Sequence, residues 1–300
     1  MNGALAVVRY SLVELTRRRI LIVFFAVGAV GIVGIAALLK VFTTALTGNV
    51  SFGSSGSDLD PATLDRALEL GFVSDIISVL GIFALLIAFG IGMTVIYHDL
   101  ESGAAISIFS KPVSRAAFTA GKVAAAIVAM VAIVGVLSLE ARLVMFLFGT
   151  GDLGPALWWE TVAQVANAVT LMLLVMALST WMNNIIAAVV AFIYNAVGGI
   201  VVALHAQDLA GGLGNNAVLK TGLDILYWLV PHELISDAPR EIAKAEFALV
   251  AASSRGGGPT ADQFLSSIPS ASGATDIIWW AFGIAVFASL VYLAVRRRQV

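Results

Sequence analysis

Residues 97–122, YHDLESGAAISIFSKPVSRAAFTAGK, interrupt two long apolar runs with mixed charge, glycine and isolated large apolar side chains. What this stretch does depends on what its flanks are. The chain has 300 residues, 60% of them hydrophobic and 12% charged, and its mean hydropathy is +0.97. A typical soluble domain carries about 25% charged residues because its surface faces water. Half that supply means that much of this surface faces lipid. The net charge of −2 gives no basis for a nucleic-acid partner. Cysteine is absent, which excludes disulfides, thiolate metal sites and cysteine nucleophiles together.

A helix rises about 1.5 Å per residue, so about 20 apolar residues cross the roughly 30 Å hydrocarbon core. Six segments qualify, near 20–39, 76–97, 116–139, 162–182, 185–204 and 277–295. The fourth and fifth are parted by Asn183 and Asn184, a polar turn that breaks what would otherwise be one overlong helix. The fold class is therefore an all-α polytopic membrane protein with six transmembrane helices.

Orientation follows the Lys/Arg bias of short loops. With both termini on one side, that side holds Arg9, Arg17, Arg18, Arg19, Lys111, Arg115, Lys122, Arg296, Arg297 and Arg298, ten of the 17 basic residues. The opposite loop, 43–74, is acidic, with Asp58, Asp60, Asp65 and Glu69. Both termini are expected in the cytoplasm, and residues 97–122 with them. The apolar run after Arg19 is longer than a signal-peptide core and no Ala-x-Ala site follows, so an uncleaved first span is expected. Residues 1–19 form a separate unit, an amphipathic interface helix with Leu5, Val8, Leu12 and Leu15 on one face and arginines reaching lipid phosphates. The six-span membrane domain is 20–300, with outer loops 43–74 and 205–276.

In the longer outer loop, Leu223, Leu226, Tyr227 and Val230 share one face before Pro231, which predicts a short interfacial helix. Ser236 is placed to cap a second helix, ended by the RGGGPT run. The two would make a small helical cap.

Several chemistry-like patterns fail on inspection. Gly53-Ser54-Ser55-Gly56 has the GxSG of intramembrane serine proteases, but it lies in a Gly/Ser linker with no histidine on a neighbouring span. Gly121-Lys122 has the last two residues of a phosphate loop. That loop also needs glycine at 116 and Ser or Thr at 123, where Ala116 and Val123 stand. His98, His205 and His232 lie in different segments without metal-ligand spacing. No catalytic residue, no metal site and no cofactor is expected in this chain.

Polar residues in the spans are the remaining candidates. Gln164, Asn167 and Asn195 read as hydrogen-bonding glue between helices or as the lining of a pathway. Glu140 and Arg142 follow the start of the third span by about 24 residues, or about 36 Å of helix. They are expected to emerge at the outer interface as anchors, or to line the mouth of a pathway. Gly28, Gly31 and Gly34 recur every third residue and allow close helix approach, either within the chain or at a seam between subunits.

The opening stretch itself can form a short helix. Leu100, Ala104 and Ile108 repeat at i, i+4, i+8, and Asp99 and Glu101 sit in the first turn, where they favour the helix dipole. Pro112 stops it, and Ser114 is placed to cap the next helix, which carries Arg115 and Lys122 through the headgroups into the third span. The expected element is a cytoplasmic amphipathic elbow. Ser102 and Gly103 weaken a merely interfacial helix and leave a surface for a partner.

The order Glu101, Gly103, apolar 106–109, Ser110-Lys111-Pro112-Val113-Ser114-Arg115, then Gly121-Lys122 resembles the signature between the second and third spans of ABC-type-2 transporter permeases. Glu14 before Arg17–Arg19, Pro231 after the fifth span and the six-span layout are similar to that family. Ala104 departs from the threonine frequent there, so no hydroxyl role is carried over. The resemblance implies a permease subunit that pairs with a second permease, the same or a related chain. It implies a separate ATP-binding-cassette ATPase that binds ATP and magnesium. Asp99, Leu100, Glu101, Gly103 and Ile108 would form the coupling elbow, with Lys111, Pro112, Ser114 and Arg115 holding its return into a bacterial inner membrane. Export would be the direction.

Three other classes compete. An ion-coupled secondary transporter usually keeps Asp, Glu or His inside its spans, and the sequence offers Glu140 near one end. An intramembrane enzyme needs a nucleophile or metal constellation. A membrane anchor or sensor working with an ATPase would share the elbow but move no substrate.

Overall fold

The computed structural model of the chain describes residues 2–17, 19–49, 61–101, 113–147, 155–209, 216–230, 233–253, 264–265 and 268–297. No strand occurs among them. Their long helices are α1 (Asn2–Arg17), α2 (Arg19–Asn49), α3 (Pro61–Thr94), the short α4 (Tyr97–Glu101), α5 (Arg115–Leu147), α6 (Pro155–Trp181), α7 (Asn184–Leu209), α8 (Ala217–Leu229), α9 (Ala238–Ser253) and α10 (Ala274–Arg297).

Among the described residues six helices are long and apolar enough to cross a membrane: Leu21–Leu38, Leu70–Glu101, Arg115–Leu147, Leu157–Trp181, Asn184–His205 and Ala274–Arg297. They coincide with the six expected spans. The second starts earlier and the third ends later than expected, because charged Asp75, Glu140 and Arg142 do not break a helix whose other turns remain apolar. The Asn-Asn break is present: the Ile185 amide donates to Asn183 Oδ1 at 2.9 Å, starting α7 afresh.

The centre of the bundle is α3, α5 and α6. Ile76, Ile87, Ile91, Phe118, Met130, Leu137, Met172, Leu173 and Met176 are fully buried there. α6 is the most enclosed span, while α2, α7 and α10 lie on the periphery with apolar side chains facing outward. Such exposure would be costly in water but is neutral in lipid.

Glycines set two of the closest approaches. A Cβ on Gly92 would stand 2.8 Å from both the Met172 carbonyl oxygen and Val175 Cβ, so α3 meets α6 almost backbone to backbone. A Cβ on Gly28 or Gly31 would stand 3.3 or 3.1 Å from the Phe83 ring. They serve packing of α2 on α3 within the chain, and of the three glycines only Gly34 opens outward.

One end of the bundle gathers α1, the end of α10, α4 and residues 113–115. Arg115 Nη1 donates to the Arg296 carbonyl at 2.8 Å, capping the end of α10, and the Arg297 guanidinium lies 5.2 Å from the Trp181 ring. This end is the terminal face; α8 and α9 lie at the opposite, far face.

Candidate functional site

Two polar assemblies interrupt the apolar bundle, one at each end. The first centres on Lys122, which is fully buried. Its position, two turns inside α5, directs it into the protein rather than up to the headgroups as expected. Its ammonium pairs with Glu14 Oε2 of α1 at 3.0 Å and with Asp99 of α4. The Tyr10 and Phe118 rings flank it at 5.3 and 6.0 Å. Asp99 is 1% exposed. Two carboxylates from separate elements therefore converge on one ammonium, which makes α1, α4 and α5 a single unit.

The neighbouring residue makes this geometry possible. A Cβ on Gly121 would stand 2.8 Å from Val7 Cβ and 2.9 Å from the Ala4 carbonyl oxygen. Only a glycine admits α1 so closely. Gly121-Lys122, a failed phosphate loop by spacing, is thus a docking pair: one residue removes bulk and the next supplies charge.

Docking also rotates α1 from its expected attitude. Val7, Ser11 and Leu15 are buried against the bundle, Val8 and Leu12 are half-buried, and Leu5 is 73% exposed. The helix turns a small-residue face to α5 because Gly121 receives Val7. Leu5, Arg9 and Val13 face outward, and Tyr10 is half exposed at the edge of the Lys122 site.

Of the expected elbow, the structure helps with part. Asp99 and Leu100 lie in α4, with Leu100 packed on the core, and Glu101 is exposed and accepts a hydrogen bond from the Tyr97 hydroxyl at 3.1 Å. Ser114 Oγ accepts from the Ala117 amide at 3.1 Å and so caps α5 as expected. Arg115 is engaged with α10. Gly103, Ile108, Lys111 and Pro112 lie outside the described residues.

The second assembly is at the far face. After α8 the chain turns back toward the bundle at residues 233–237, which are not helical. Asn167 of α6 grips Leu234 in both directions: its Nδ2 donates to the Leu234 carbonyl at 2.9 Å and its Oδ1 accepts from the Leu234 amide at 2.8 Å. Asn167 lies ten residues inside the span from Leu157, about 15 Å along the helix. Irregular backbone at that depth is tolerated only when protein satisfies its polar groups. Ser272 supplies two more bonds, with Ile235 N–H donating to its Oγ and its own amide donating to the Ile235 carbonyl, both at 2.9 Å.

Glu160 anchors the end of this dipping segment. Its carboxylate accepts from Ser236 Oγ at 2.6 Å and from Gln164 Nε2 at 2.9 Å, and Gln164 Nε2 also donates to the Ile77 carbonyl of α3 at 3.1 Å. Ser236 Oγ in turn accepts from the Ala238 amide at 3.0 Å, which starts α9 close to where the sequence placed it. Gln164 is therefore glue between α3 and α6, while Asn167 holds a loop rather than a helix. Asn195 of α7 hydrogen-bonds to the Glu233 side chain. Burial pushes the Glu233 carboxyl above its ordinary value of 4.5; the Asn195 bond opposes this and the Glu160 charge reinforces it.

Glu140 and Arg142 lie in the last turns of α5. Both are half-buried, and the Arg142 guanidinium stacks on the Trp158 ring at 3.5 Å, tying α5 to the start of α6. Around the rim, His205 stacks on Tyr227 at 4.2 Å, with its Nδ1 3.4 Å from the Asp224 carboxylate, which sets α8 against α7. A cleft of about 290 Å³ opens beside the dipping segment, walled by Trp159, Val162, Ala163, Leu234 and Ile277, with Ser236 and Asp237 at its polar side. Among the described residues no three His, Asp or Glu side chains converge in a metal-holding group.

Sequence reasoning missed the Lys122 clamp and the depth of residues 233–237. Lys122 was visible as a charge two turns inside a span, and Glu14 and Asp99 as the carboxylates nearest it at the same end. Nothing in the residues 233–237 themselves signals that they return to the bundle.

Compared with known proteins, the chain matches no family model and no curated protein sequence.

Two outcomes are expected. Lys122→Met leaves Glu14 and Asp99 facing each other in the protein and costs about 3–5 kcal/mol, read as a fall in thermal stability in detergent. Combining it with Glu14→Leu and Asp99→Leu recovers most of that loss, because a well-packed apolar set replaces a buried ion cluster at little net cost. Glu233 gives the second. Its folded pKa is raised, so its contribution to stability is full below 4.5 and is lost as pH rises through the folded value. The melting temperature should fall with pH across that window in the unaltered protein, and Glu233→Gln should flatten the fall.

Proposed function

We propose that this chain is the membrane-spanning permease subunit of an ATP-binding-cassette transporter, driven by a separate ATPase subunit. One observation carries the reading: Lys122 binds the N-terminal helix, the first turn of the elbow and the third span into one body at the face where both termini lie. A push on the exposed Glu101 side of the elbow therefore reaches α5 and α1 together. The Lys/Arg bias supports a cytoplasmic position for this face, where an ATPase on a bacterial inner membrane would have access to it. The resemblance of residues 97–122 to ABC-type-2 permeases supports the same partner and a second permease copy or related chain. The reaction assigned to this chain is movement of substrate, with ATP and magnesium held by the partner.

A second reading, ion-coupled transport, draws on a different observation. Glu160 and Glu233 lie among Gln164, Asn167 and Asn195 beside the spans, where coupling carboxylates are found in secondary transporters. The permease reading needs no titrating group there, since both carboxylates hold the dipping segment.

The test is purification from native cells in mild detergent, identification of any stoichiometric ATPase by mass spectrometry, and assay of its ATP hydrolysis in liposomes with and without this chain. The permease reading predicts a bound ATPase whose activity this chain alters, with Glu101→Arg removing the effect while leaving the fold intact. A chain that comes out without an ATPase, but moves a solute along a proton gradient, would replace it with the second reading.

A further inference from the structure

A cavity of about 20 Å³ lies inside the bundle between α3, α5 and α6, walled by Ile76, Leu80, Ser138, Arg142, Glu160 and Gln164. Two side-chain oxygens there are buried without a hydrogen-bond partner among the described residues, Ser138 Oγ and Gln164 Oε1. Ser138 is 3% exposed. Gln164 spends its amide nitrogen on Ile77 and Glu160, which leaves its oxygen with no partner in its own network. A buried polar oxygen left unpaired is costly in a low-dielectric interior.

A water molecule needs roughly 10–15 Å³ of such space and two to four polar partners. Volume and partners both fit one water and little else. The Arg142 guanidinium on the wall disfavours a cation, and the Glu160 carboxylate with the Gln164 carbonyl oxygen disfavours an anion. We propose that this cavity is a binding site for a single ordered water that bridges Ser138 of α5 to Gln164 of α6.

The bridge has a consequence for movement. It lies one turn from Glu160, which holds Ser236 of the dipping segment, and on the same helix whose other end carries Lys122. A water bridge tolerates changes of length and angle that a direct side-chain bond does not. It therefore makes a joint at which α5 can shift against α6 without stripping either oxygen of its partner.

The experiment compares two side chains of equal size at one position. Ser138→Thr and Ser138→Val add similar bulk, but only threonine keeps the hydroxyl. Thermal unfolding in detergent, followed by tryptophan fluorescence, is expected to place the valine variant about 2–4 °C below the threonine variant. If valine equals or exceeds threonine, the cavity is dry and the proposal fails. Should neither variant fold, a high-resolution density map of the unaltered protein decides: a peak within hydrogen-bond distance of both oxygens upholds the site, and a flat cavity overturns it.

Discussion

An ammonium buried among apolar helices has to be met by carboxylates, and here they come from places 23 and 108 residues away in the chain, Asp99 and Glu14. That requirement organises one whole end of the molecule. It fixes α1 on α5, it fixes the first turn after the second span, and it forces glycine at 121 so that the two backbones can close. Asp99 and Lys122 together would be close to neutral; the second carboxylate of Glu14 extends the tie to an element that otherwise has only an apolar face to offer. Arg115, the first residue of α5, reaches the end of α10 and adds the C-terminal span to the same body.

The far end obeys a different constraint, that backbone at membrane depth must find partners within the protein. Residues 233–237 meet it with side chains rather than with a helix or sheet. Asn167 imitates a backbone strand by giving and taking one bond each, and Ser272 repeats the arrangement with Ile235. Glu160 then fixes Ser236 and through it the start of α9. The central helices α5 and α6 run between the two ends, so a movement of the charged body is handed directly to the helices that hold the dipping segment.

Much of this was legible in the residues. Six apolar runs of the right length became six spans, the Asn183-Asn184 turn parted the fourth from the fifth, and Ser114 capped the helix it preceded. These are local signals, and local physics decides them. The face of α1 was misjudged because a free amphipathic helix presents its largest apolar residues to lipid, whereas α1 presents Val7 to the gap over Gly121 and leaves Leu5 outside. Lys122 was given to the headgroups because lysine at a span end usually snorkels; its partners lie far away in sequence and no periodicity links them. The role of Asn167 was hidden for the same reason, since the segment it grips is 67 residues further on. Gly28 and Gly31 had two readings, and the Phe83 ring chooses packing within the chain.

The claim on which the rest stands is that α1 is docked on the start of α5 as part of one body. A Cβ on Gly3 would lie 3.9 Å from Val113, at the entry to α5, and the chain has no cysteine of its own. The direct measurement is therefore oxidative cross-linking of a Gly3→Cys, Val113→Cys pair in native membranes, read as a mobility shift that reductant reverses. A docked α1 predicts rapid, nearly complete cross-linking that falls sharply when Lys122→Met is added. A pair that stays reduced would mean that α1 lies free of the bundle, and one that links equally well without the lysine would mean that the charged clamp does not hold it.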